Sequence, residues 1–237
     1  MNKALCLITI NPNKVFLDFF RQFKNYDIYI IIDNNNDYTH VISLYPSISF
    51  VQLNNENCLS KGFSNLSYIT LHKNVTGWEK ALYYFAHIEE KYEYVWFMED
   101  DVYFYNENTF LTIDKKYENT DLLCNSSFGE AKLDEWLWDR IQINLATPYY
   151  CGMMCIVRFS QKMLQSIKDY ATKNNTLFFL EACYTTIAVK YDLTYIKNPD
   201  EFLSVTHRDI HSIDSLNKYS LYHPIKNIDN HIKARNT

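Results

Sequence analysis

The sequence predicts an α/β fold in which helices flank a Rossmann-like, mainly parallel central sheet. Short apolar runs, typical of strands buried on both faces, alternate along the chain with segments whose apolar residues recur at helical spacing. One of these runs, at residues 94–98, leads directly into the carboxylates of Glu99, Asp100 and Asp101. Since open α/β sheets bind their ligands at the carboxyl ends of their strands, this triplet predicts where the functional site lies.

Composition limits the classes of protein to which the chain can belong. With 237 residues it can bury a large core, and its formal net charge of −5, without a run of lysines or arginines, argues against a nucleic-acid partner. Its six cysteines have irregular spacings, which predicts neither a disulfide framework nor a zinc site. The apolar segment at residues 4–10 is too short for a signal peptide or a membrane span, so we expect a cytoplasmic protein without a transmembrane segment.

The first part of the chain predicts a βαβ unit. Residues 4–10 and 27–33 are apolar runs that predict strands, and the helix that Asn11-Pro12 opens between them places phenylalanines on one face. A right-handed crossover makes two such strands parallel. The second strand ends at Asp33, whose carboxylate could accept hydrogen bonds from a ribose or a base, although the polar turn of residues 34–37 explains it equally well.

A third strand, a loop and a capped helix precede the acidic triplet. We expect the strand at residues 47–53 and the loop at residues 54–65. Thr76 and Glu79 have the spacing of a capping box, which predicts that a helix begins there and covers the sheet. Lys80, near the start of this helix, is a candidate for phosphate binding, although a solvated lysine is the commoner role for a residue in this position.

The acidic triplet carries the strongest functional signal in the sequence. Like charges this close raise one another's pKa and destabilise the fold unless solvent or a cation neutralises them. Carboxylate oxygens are ligands that Mg²⁺ and Mn²⁺ prefer, so we expect a divalent metal ion at Glu99, Asp100 and Asp101. The alternative is an acidic turn exposed to water, but most such turns do not directly follow an apolar strand.

The second half of the chain predicts a strand at residues 149–159, a helix that Ser160 caps, and another helix at residues 177–191. Glu181 follows the apolar residues at the start of this last segment, which should raise its pKa and suits a general base. A first-turn glutamate that stabilises the helix dipole is the alternative explanation.

Two tryptophans, Trp136 and Trp138, lie between the acidic triplet and the predicted strand at residues 149–159. Aromatic rings near a site can stack on the apolar face of a sugar, but a tryptophan pair is more often part of the core. Neither a shift in composition nor a flexible linker separates these regions, so residues 1–237 are predicted to form one domain with two lobes.

The order of these motifs resembles that of the GT-A-fold glycosyltransferases, which use nucleotide sugars. In that family an acidic residue follows the second strand and a D-x-D motif the fourth, and a helix with a carboxylate and a late metal-binding histidine come after them. The matching positions are Asp33, Glu99-Asp100-Asp101, Glu181, and His223 within His-Pro-Ile-Lys. The family usually has Asp where this chain has Glu99, which leaves open whether Glu99 contacts the ribose or the metal ion. The composition also resembles that of small transferases encoded by large DNA viruses, which would place the protein in a host cytoplasm.

The resemblance implies a single GT-A-like domain with a nucleotide-sugar-binding half at residues 1–105 and an acceptor-side half at residues 106–237. The implied activity is that of a hexosyltransferase that uses a UDP-sugar, needs Mn²⁺ or Mg²⁺, and inverts the anomeric carbon. The acceptor would be a hydroxyl of a glycan, lipid-linked or protein-linked molecule. The implied residue roles are metal ligation by Asp101 and His223, nucleotide-sugar binding by Thr9, Asp33, Glu99 and Asp100, and general base catalysis by Glu181.

The sequence leaves two other functions open. A nucleotidyltransferase also needs carboxylates around a metal ion, but it usually gathers basic residues around its nucleotide, and the sequence shows no such cluster. A non-catalytic carbohydrate-binding protein could use the tyrosines and tryptophans. Metal-dependent release of a nucleoside diphosphate from a sugar nucleotide separates the three functions.

Overall fold

The computed structural model describes residues 2–66, 73–125, 129–130, 143–197, 199–208 and 211–236. Its first elements are β1 (Lys3–Thr9), α1 (Lys14–Phe20), β2 (Asp27–Ile32), α2 (Thr39–Leu44), β3 (Ile48–Val51), α3 (Asn55–Leu59), β4 (Asn65–Leu66), β5 (Lys73–Asn74), α4 (Gly77–Tyr83), a π-helical turn (Tyr84–Ile88) and β6 (Tyr94–Glu99). The later elements are α5 (Glu107–Lys116), β7 (Leu122–Cys124), β8 (Gly129–Glu130), β9 (Tyr150–Cys151), β10 (Ile156–Ser160), α6 (Gln161–Asn174), β11 (Leu177–Phe178), α7 (Leu180–Lys190), β12 (Tyr195–Lys197), β13 (Ser204–Val205), β14 (Tyr222–His223) and α8 (Ile228–Asn236), with 3₁₀ turns at Asp200–Phe202 and Ile213–Ser215. Trp136 and Trp138 lie outside the described residues.

A seven-stranded sheet forms the centre of the structure, in the order β12-β7-β10-β6-β1-β2-β3. Strand β10 runs antiparallel to both of its neighbours, and the other neighbouring strands are parallel. The predicted mainly parallel α/β sheet is therefore confirmed. Strands from residues 1–105 and from residues 106–237 join in this one sheet.

The register of the central strands brings their carboxyl ends to one edge. In the pairing of β1 with β2, Thr9 lies opposite Ile32, and in the pairing of β1 with β6, Ile8 lies opposite Glu99. The backbone N–H of Asp33 donates to the carbonyl of Thr9 at 2.9 Å. The residues that follow these three strands are therefore neighbours, although they are far apart in the sequence.

Both faces of the sheet are covered, which explains why β6 is a continuous apolar run. Side chains alternate between the two faces of a strand, so Val95 and Phe97 join one buried cluster whereas Trp96 and Met98 join the other. The first cluster contains residues of α4, α6 and α7, and the second contains residues of α1 and α5. Each large apolar side chain buried in this way stabilises the fold by about 1.5–3 kcal/mol. Of the helices described, none is both long and apolar enough to cross a membrane.

Three local predictions differ from the structure. The predicted loop at residues 54–65 contains helix α3, whose start is capped because Asn54 accepts a hydrogen bond from the backbone N–H of Glu56. The predicted strand at residues 149–159 is two separate strands, β9 and β10. The predicted helix at residues 177–191 begins only at Leu180, because the residues before it pair with β4 as strand β11.

A buried ion network holds α5 against the sheet. Asp114 of α5 accepts hydrogen bonds from Arg158 Nη1 at 2.8 Å and Trp96 Nε1 at 3.0 Å through one oxygen. Its other oxygen accepts from Tyr26 Oη at 2.6 Å and lies 2.9 Å from Lys3 Nζ. Because this buried carboxylate is fully hydrogen-bonded, the network is a structural anchor between the helix and strands β1, β6 and β10.

Candidate active site

Glu99, Asp101 and His223 form a group that could hold a metal ion. Nε2 of His223 lies 3.2 Å from Asp101 Oδ1 and 3.5 Å from Glu99 Oε2. One ligand atom from each of these three residues lies within 4.8 Å of the other two. The structure thus brings together Asp101 and His223, the two residues that the resemblance implies as metal ligands, with Glu99 of the same triplet.

Backbone pairing places His223 beside the triplet. Tyr103, which follows the triplet, exchanges two hydrogen bonds with Tyr222, at 2.8 and 2.9 Å, and the backbone N–H of Ile225 donates to the carbonyl of Asp101 at 2.7 Å. Nδ1 of His223 lies 2.6 Å from the carbonyl oxygen of Thr206. Because a carbonyl oxygen only accepts, Nδ1 carries a proton, and in the neutral ring Nε2 directs its lone pair towards the carboxylates.

The pKa values of His223 and Asp101 are shifted in opposite directions by their contact. Burial would lower the pKa of His223, but the neighbouring side chains of Asp101, Cys155 and Glu99 raise it to about 12. Burial would raise the pKa of Asp101, but the adjacent His223 outweighs it and brings that pKa below its ordinary value. The two carboxylates beside the imidazole thus favour a positive charge at this position.

Asp101 also provides an oxygen suited to ligation. Its Oδ1 is buried and, among the described residues, has no partner with hydrogen-bond geometry, since the 3.2 Å contact with His223 is close but poorly aligned. A buried carboxylate oxygen in this state costs free energy that a cation would recover. Two carboxylates and one imidazole fit a divalent ion such as Mn²⁺ or Mg²⁺.

Asp100 points away from this group. Its Oδ2 accepts a hydrogen bond from Thr9 Oγ1 at 2.6 Å. Burial, followed by the charges of Asp101 and Glu99, raises the pKa of Asp100 above its ordinary value in spite of this hydrogen bond. Two further residues predicted to bind the nucleotide sugar, Thr9 and Asp100, thus contact one another at the end of β1.

Asp33 and Lys80 form a third pair at the same edge. Asp33 Oδ1 lies 2.7 Å from Lys80 Nζ, and Oδ2 accepts from the backbone N–H of Gly77 at 2.9 Å. The side chain of Lys80 is only 5% exposed, so it is not the solvated lysine that the sequence favours. Only glycine leaves room at position 77, because a Cβ there would lie 2.6 Å from Cγ2 of Ile8 and 3.3 Å from Cβ of Asp33. Nucleotide binding by Asp33 and phosphate binding by Lys80 remain predictions.

Two pockets meet at the acidic group. The strand-edge pocket, of about 530 Å³, is lined by Thr9, Asn11, Asp33, Gly77 and Asp100, among others. The Glu181 pocket, of about 380 Å³, is lined by Glu181, Phe179, Leu180, His223 and Lys226, among others. Trp78, Glu99 and Asp101 line both. A ligand group bound in one pocket would therefore face a ligand group bound in the other across the acidic cluster.

Glu181 lies in the wall of the second pocket. It is the second residue of α7, and it lines the pocket that also contains Glu99 and Asp101. Burial, with a contribution from the charge of Glu99, raises the pKa of Glu181.

Sequence reasoning missed two residues of this site. Trp78 donates its indole N–H to Glu99 Oε1 at 2.9 Å, whereas the helical pattern assigned it only to the apolar face of a helix. Lys226 lines the Glu181 pocket, and its charge helps to lower the pKa of Asp101. This lysine belongs to the segment His-Pro-Ile-Lys, whose histidine is a predicted metal ligand. The sequence alone gives no reason to place the lysine beside the triplet.

Comparisons with known proteins agree with the architecture. Neither a family model nor a curated protein sequence matches the chain. Among solved structures, the chain is similar to an active-site mutant of LgtC, with a TM-score of 0.52, 10% identity, and coverage of 94% of this chain and 86% of that chain. Another LgtC structure is described as a galactosyltransferase in complex with donor and acceptor sugar analogs.

Two more distant similarities accompany it. A 4-diphosphocytidyl-2C-methyl-D-erythritol synthase from Anaerococcus prevotii has a TM-score of 0.49 and 13% identity, with coverage of 99% of this chain and 95% of that chain. A putative nucleotide-diphospho-sugar transferase from Desulfovibrio desulfuricans has a TM-score of 0.46 and 10% identity, with coverage of 92% and 93%. The fold assignment rests on the LgtC structure, and the fold is GT-A-like, as the order of motifs predicted.

Proposed function

We propose that the chain is a metal-dependent glycosyltransferase that moves a sugar from a nucleoside-diphosphate sugar, specifically a UDP-sugar, to an acceptor hydroxyl. The observation that carries this proposal is the position of Glu99, Asp101 and His223 where the two pockets meet, with Glu181 in the wall of one of them. A transferase needs two adjoining sites, and a reacting centre between them. The GT-A-like fold supports the proposal at the level of architecture.

The residues that would hold the metal ion are Asp101, Glu99 and His223. An imidazole ligand suits Mn²⁺ better than Mg²⁺, so Mn²⁺ is the proposed cofactor. When bound, the ion would neutralise the charge that develops on the leaving diphosphate. Lys226 lines the Glu181 pocket together with these three residues and would add a positive charge beside the ion. The resemblance leaves Glu99 open between the ribose and the metal ion, and its position beside Asp101 and His223 favours metal ligation.

The nucleotide would occupy the strand-edge pocket. Thr9 and Asp33 lie at the ends of neighbouring parallel strands, where a base and a ribose can be bound by short polar side chains. Asp100 lies between Thr9 and the metal group, which suits contact with the ribose or the transferred sugar. Lys80 is held at this edge through Asp33 and would favour a nearby phosphate.

The acceptor would occupy the Glu181 pocket, whose apolar residues include Trp78, Leu180 and Pro224. These side chains can pack on the C–H face of a sugar, which fits a glycan or a glycan-bearing lipid or protein. Glu181 would take the proton of the acceptor hydroxyl. The hydroxyl oxygen then forms a bond to the anomeric carbon, the bond from that carbon to the diphosphate breaks, and the configuration inverts.

A thermal-shift screen tests binding of the nucleotide sugar. The protein is melted with a panel of nucleoside-diphosphate sugars, with and without Mn²⁺. A ligand at 100 times its Kd stabilises the native state by about 2.7 kcal/mol, which raises the Tm of a chain of this size by several degrees. We expect such a rise only when a UDP-sugar and Mn²⁺ are present together. A rise with nucleoside triphosphates in place of sugar nucleotides would favour a nucleotidyltransferase and contradict the proposal.

A further inference from the structure

Trp78 contacts Glu99, whose side chain is the most exposed of the three that could hold a metal ion. Its indole Nε1 donates to Glu99 Oε1 at 2.9 Å, and the other oxygen of Glu99, Oε2, is the one that faces His223 at 3.5 Å. The two oxygens of this carboxylate are thus divided between the indole and the metal group. A hydrogen bond to a charged acceptor is stronger than one between neutral groups.

The tryptophan itself is well fixed. It is the second residue of α4, and its backbone N–H donates to Thr76 Oγ1 at 3.3 Å within the capping box. The whole residue is 9% exposed, and its ring packs against Phe97 with the ring centroids 6.4 Å apart. The side chain of Glu99, in contrast, is 39% exposed. The buried indole of Trp78 therefore restrains the more exposed carboxylate of Glu99.

An indole is well suited to this task. A lysine or arginine beside Glu99 would neutralise the carboxylate and compete with a cation, whereas the neutral indole N–H leaves its charge intact. The restraint is needed because Glu has one more rotatable bond than Asp and loses more conformational entropy when it is ordered. The hydrogen bond from Trp78 offsets this greater freedom of the Glu99 side chain.

We propose that Trp78 is a positioning residue for Glu99: its indole N–H holds Oε1 so that Oε2 faces the cation that Asp101 and His223 share. This inference rests on the metal-dependent function proposed above. Trp78 also lines both the strand-edge pocket and the Glu181 pocket, so its indole holds Glu99 at the boundary between the two substrates.

The test is a titration of the protein with Mn²⁺ in which the electron paramagnetic resonance signal of the free ion reports binding. It needs no substrate and no activity. Trp78→Phe keeps an aromatic ring against Phe97 and removes the N–H. We expect it to weaken Mn²⁺ binding by about tenfold, the order found when a partner that orients a metal ligand is removed. In a Glu99→Ala background, Trp78→Phe should change the affinity no further.

Trp96→Phe is the matched control. It makes the same substitution and also removes an indole N–H that donates to a carboxylate, that of Asp114, but in the other buried cluster of the sheet. We expect it to lower the free energy of unfolding and to leave the Mn²⁺ affinity unchanged. A loss of affinity in Trp96→Phe equal to that in Trp78→Phe would mean that general destabilisation is the cause, and would overturn the proposal.

The remaining outcomes separate the two proposals. Unchanged Mn²⁺ affinity in folded Trp78→Phe, or an equal loss with and without Glu99, overturns the positioning role and leaves the metal site standing. A wild-type protein that does not bind Mn²⁺ overturns both. If Trp78→Phe does not fold, ¹⁵N-indole spectra of the four tryptophans serve instead. The indole resonance of Trp78 should shift when Mg²⁺ is added to the wild type but not when it is added to Glu99→Ala. If Mg²⁺ does not shift this resonance in the wild type, the positioning role is overturned.

Discussion

Three consecutive carboxylates have two different environments. Glu99 and Asp101 face His223, whereas Asp100 between them faces Thr9. Strand β6 ends at Glu99, and the backbone turns at Asp100 and Asp101, so that the N–H of Val102 donates to the carbonyl of Glu99 at 3.3 Å. The sequence could indicate the triplet, but not which two of its members meet the histidine.

Asp101→Asn tests the metal site at the more buried of its two carboxylates. The substitution removes the charge from an oxygen that is buried without a well-aligned partner, so we expect Mn²⁺ binding to fall by at least about tenfold while the protein stays folded. Isothermal titration calorimetry measures the affinity and circular dichroism the fold. Asp100→Asn is the matched control and should bind Mn²⁺ nearly as the wild type does, because Asp100 faces Thr9. Equal affinities for wild type and Asp101→Asn would rule out this ligand.

Glu181→Gln separates chemistry from binding. Gln keeps the shape of the side chain but cannot accept a proton, so turnover should fall by roughly a hundredfold or more at nearly unchanged affinity for the nucleotide sugar. The pKa of Glu181 is raised, and the base acts when ionised, so wild-type activity should fall as pH drops through that pKa. Kinetics as a function of pH should show this limb in the wild type and not in the residual activity of the variant. Normal turnover, or a product with retained configuration, would exclude Glu181 as the base of an inverting reaction.

Asp33 and Lys80 need ligands that distinguish their roles, because they contact one another. Asp33→Asn keeps an oxygen for the Gly77 N–H and should weaken the binding of both uridine and UDP by roughly tenfold, as expected for the loss of a charged acceptor. Lys80→Met should weaken only UDP, since uridine has no phosphate. Titrations followed by NMR measure both ligands. If Asp33→Asn binds uridine as tightly as the wild type, Asp33 serves only to hold the start of α4.

Helices with local start signals could be predicted, and short strands could not. Thr76 and Glu79 predict the start of α4, and the structure confirms the capping box there. Ser160 likewise caps α6, where it accepts from the backbone N–H of Met163 at 3.1 Å. The residues of β11 are apolar like a helix face, and they are strand only because β4, more than a hundred residues earlier, pairs with them. A partner at such a distance leaves no local signal.

The attachment of α5 to the sheet is predicted to depend on Asp114. Asp114→Ala leaves Arg158, whose side chain is fully buried, without its carboxylate partner. Breaking a buried ion pair from one side costs about 3–5 kcal/mol, so the free energy of unfolding should fall by that order in urea denaturation. Asp200→Ala is the control, because its contact with Lys116 is exposed and should contribute less than about 1 kcal/mol. Similar stabilities for the two variants would contradict the role of the network.

At the scale of the whole molecule, the sheet could be predicted and the assembly of the site only in part. Apolar runs and crossover rules indicate parallel strands, and the strand ends then converge. His223 reaches the triplet through backbone pairing of Tyr222 with Tyr103, which no periodicity indicates. The GT-A resemblance supplied that histidine, and the structure supplied Trp78 and Lys226.

The most direct test of the proposed activity is release of UDP from UDP-sugars by the purified chain. The assay compares Mn²⁺ with EDTA, uses a panel of sugar acceptors, and includes Asp101→Asn as the inactive control. We predict UDP release from at least one UDP-sugar that depends on Mn²⁺, that an acceptor accelerates, and that Asp101→Asn lacks. Release of pyrophosphate from a nucleoside triphosphate and a sugar phosphate instead, or no release of nucleoside diphosphate from any sugar nucleotide, would contradict the assignment as a glycosyltransferase.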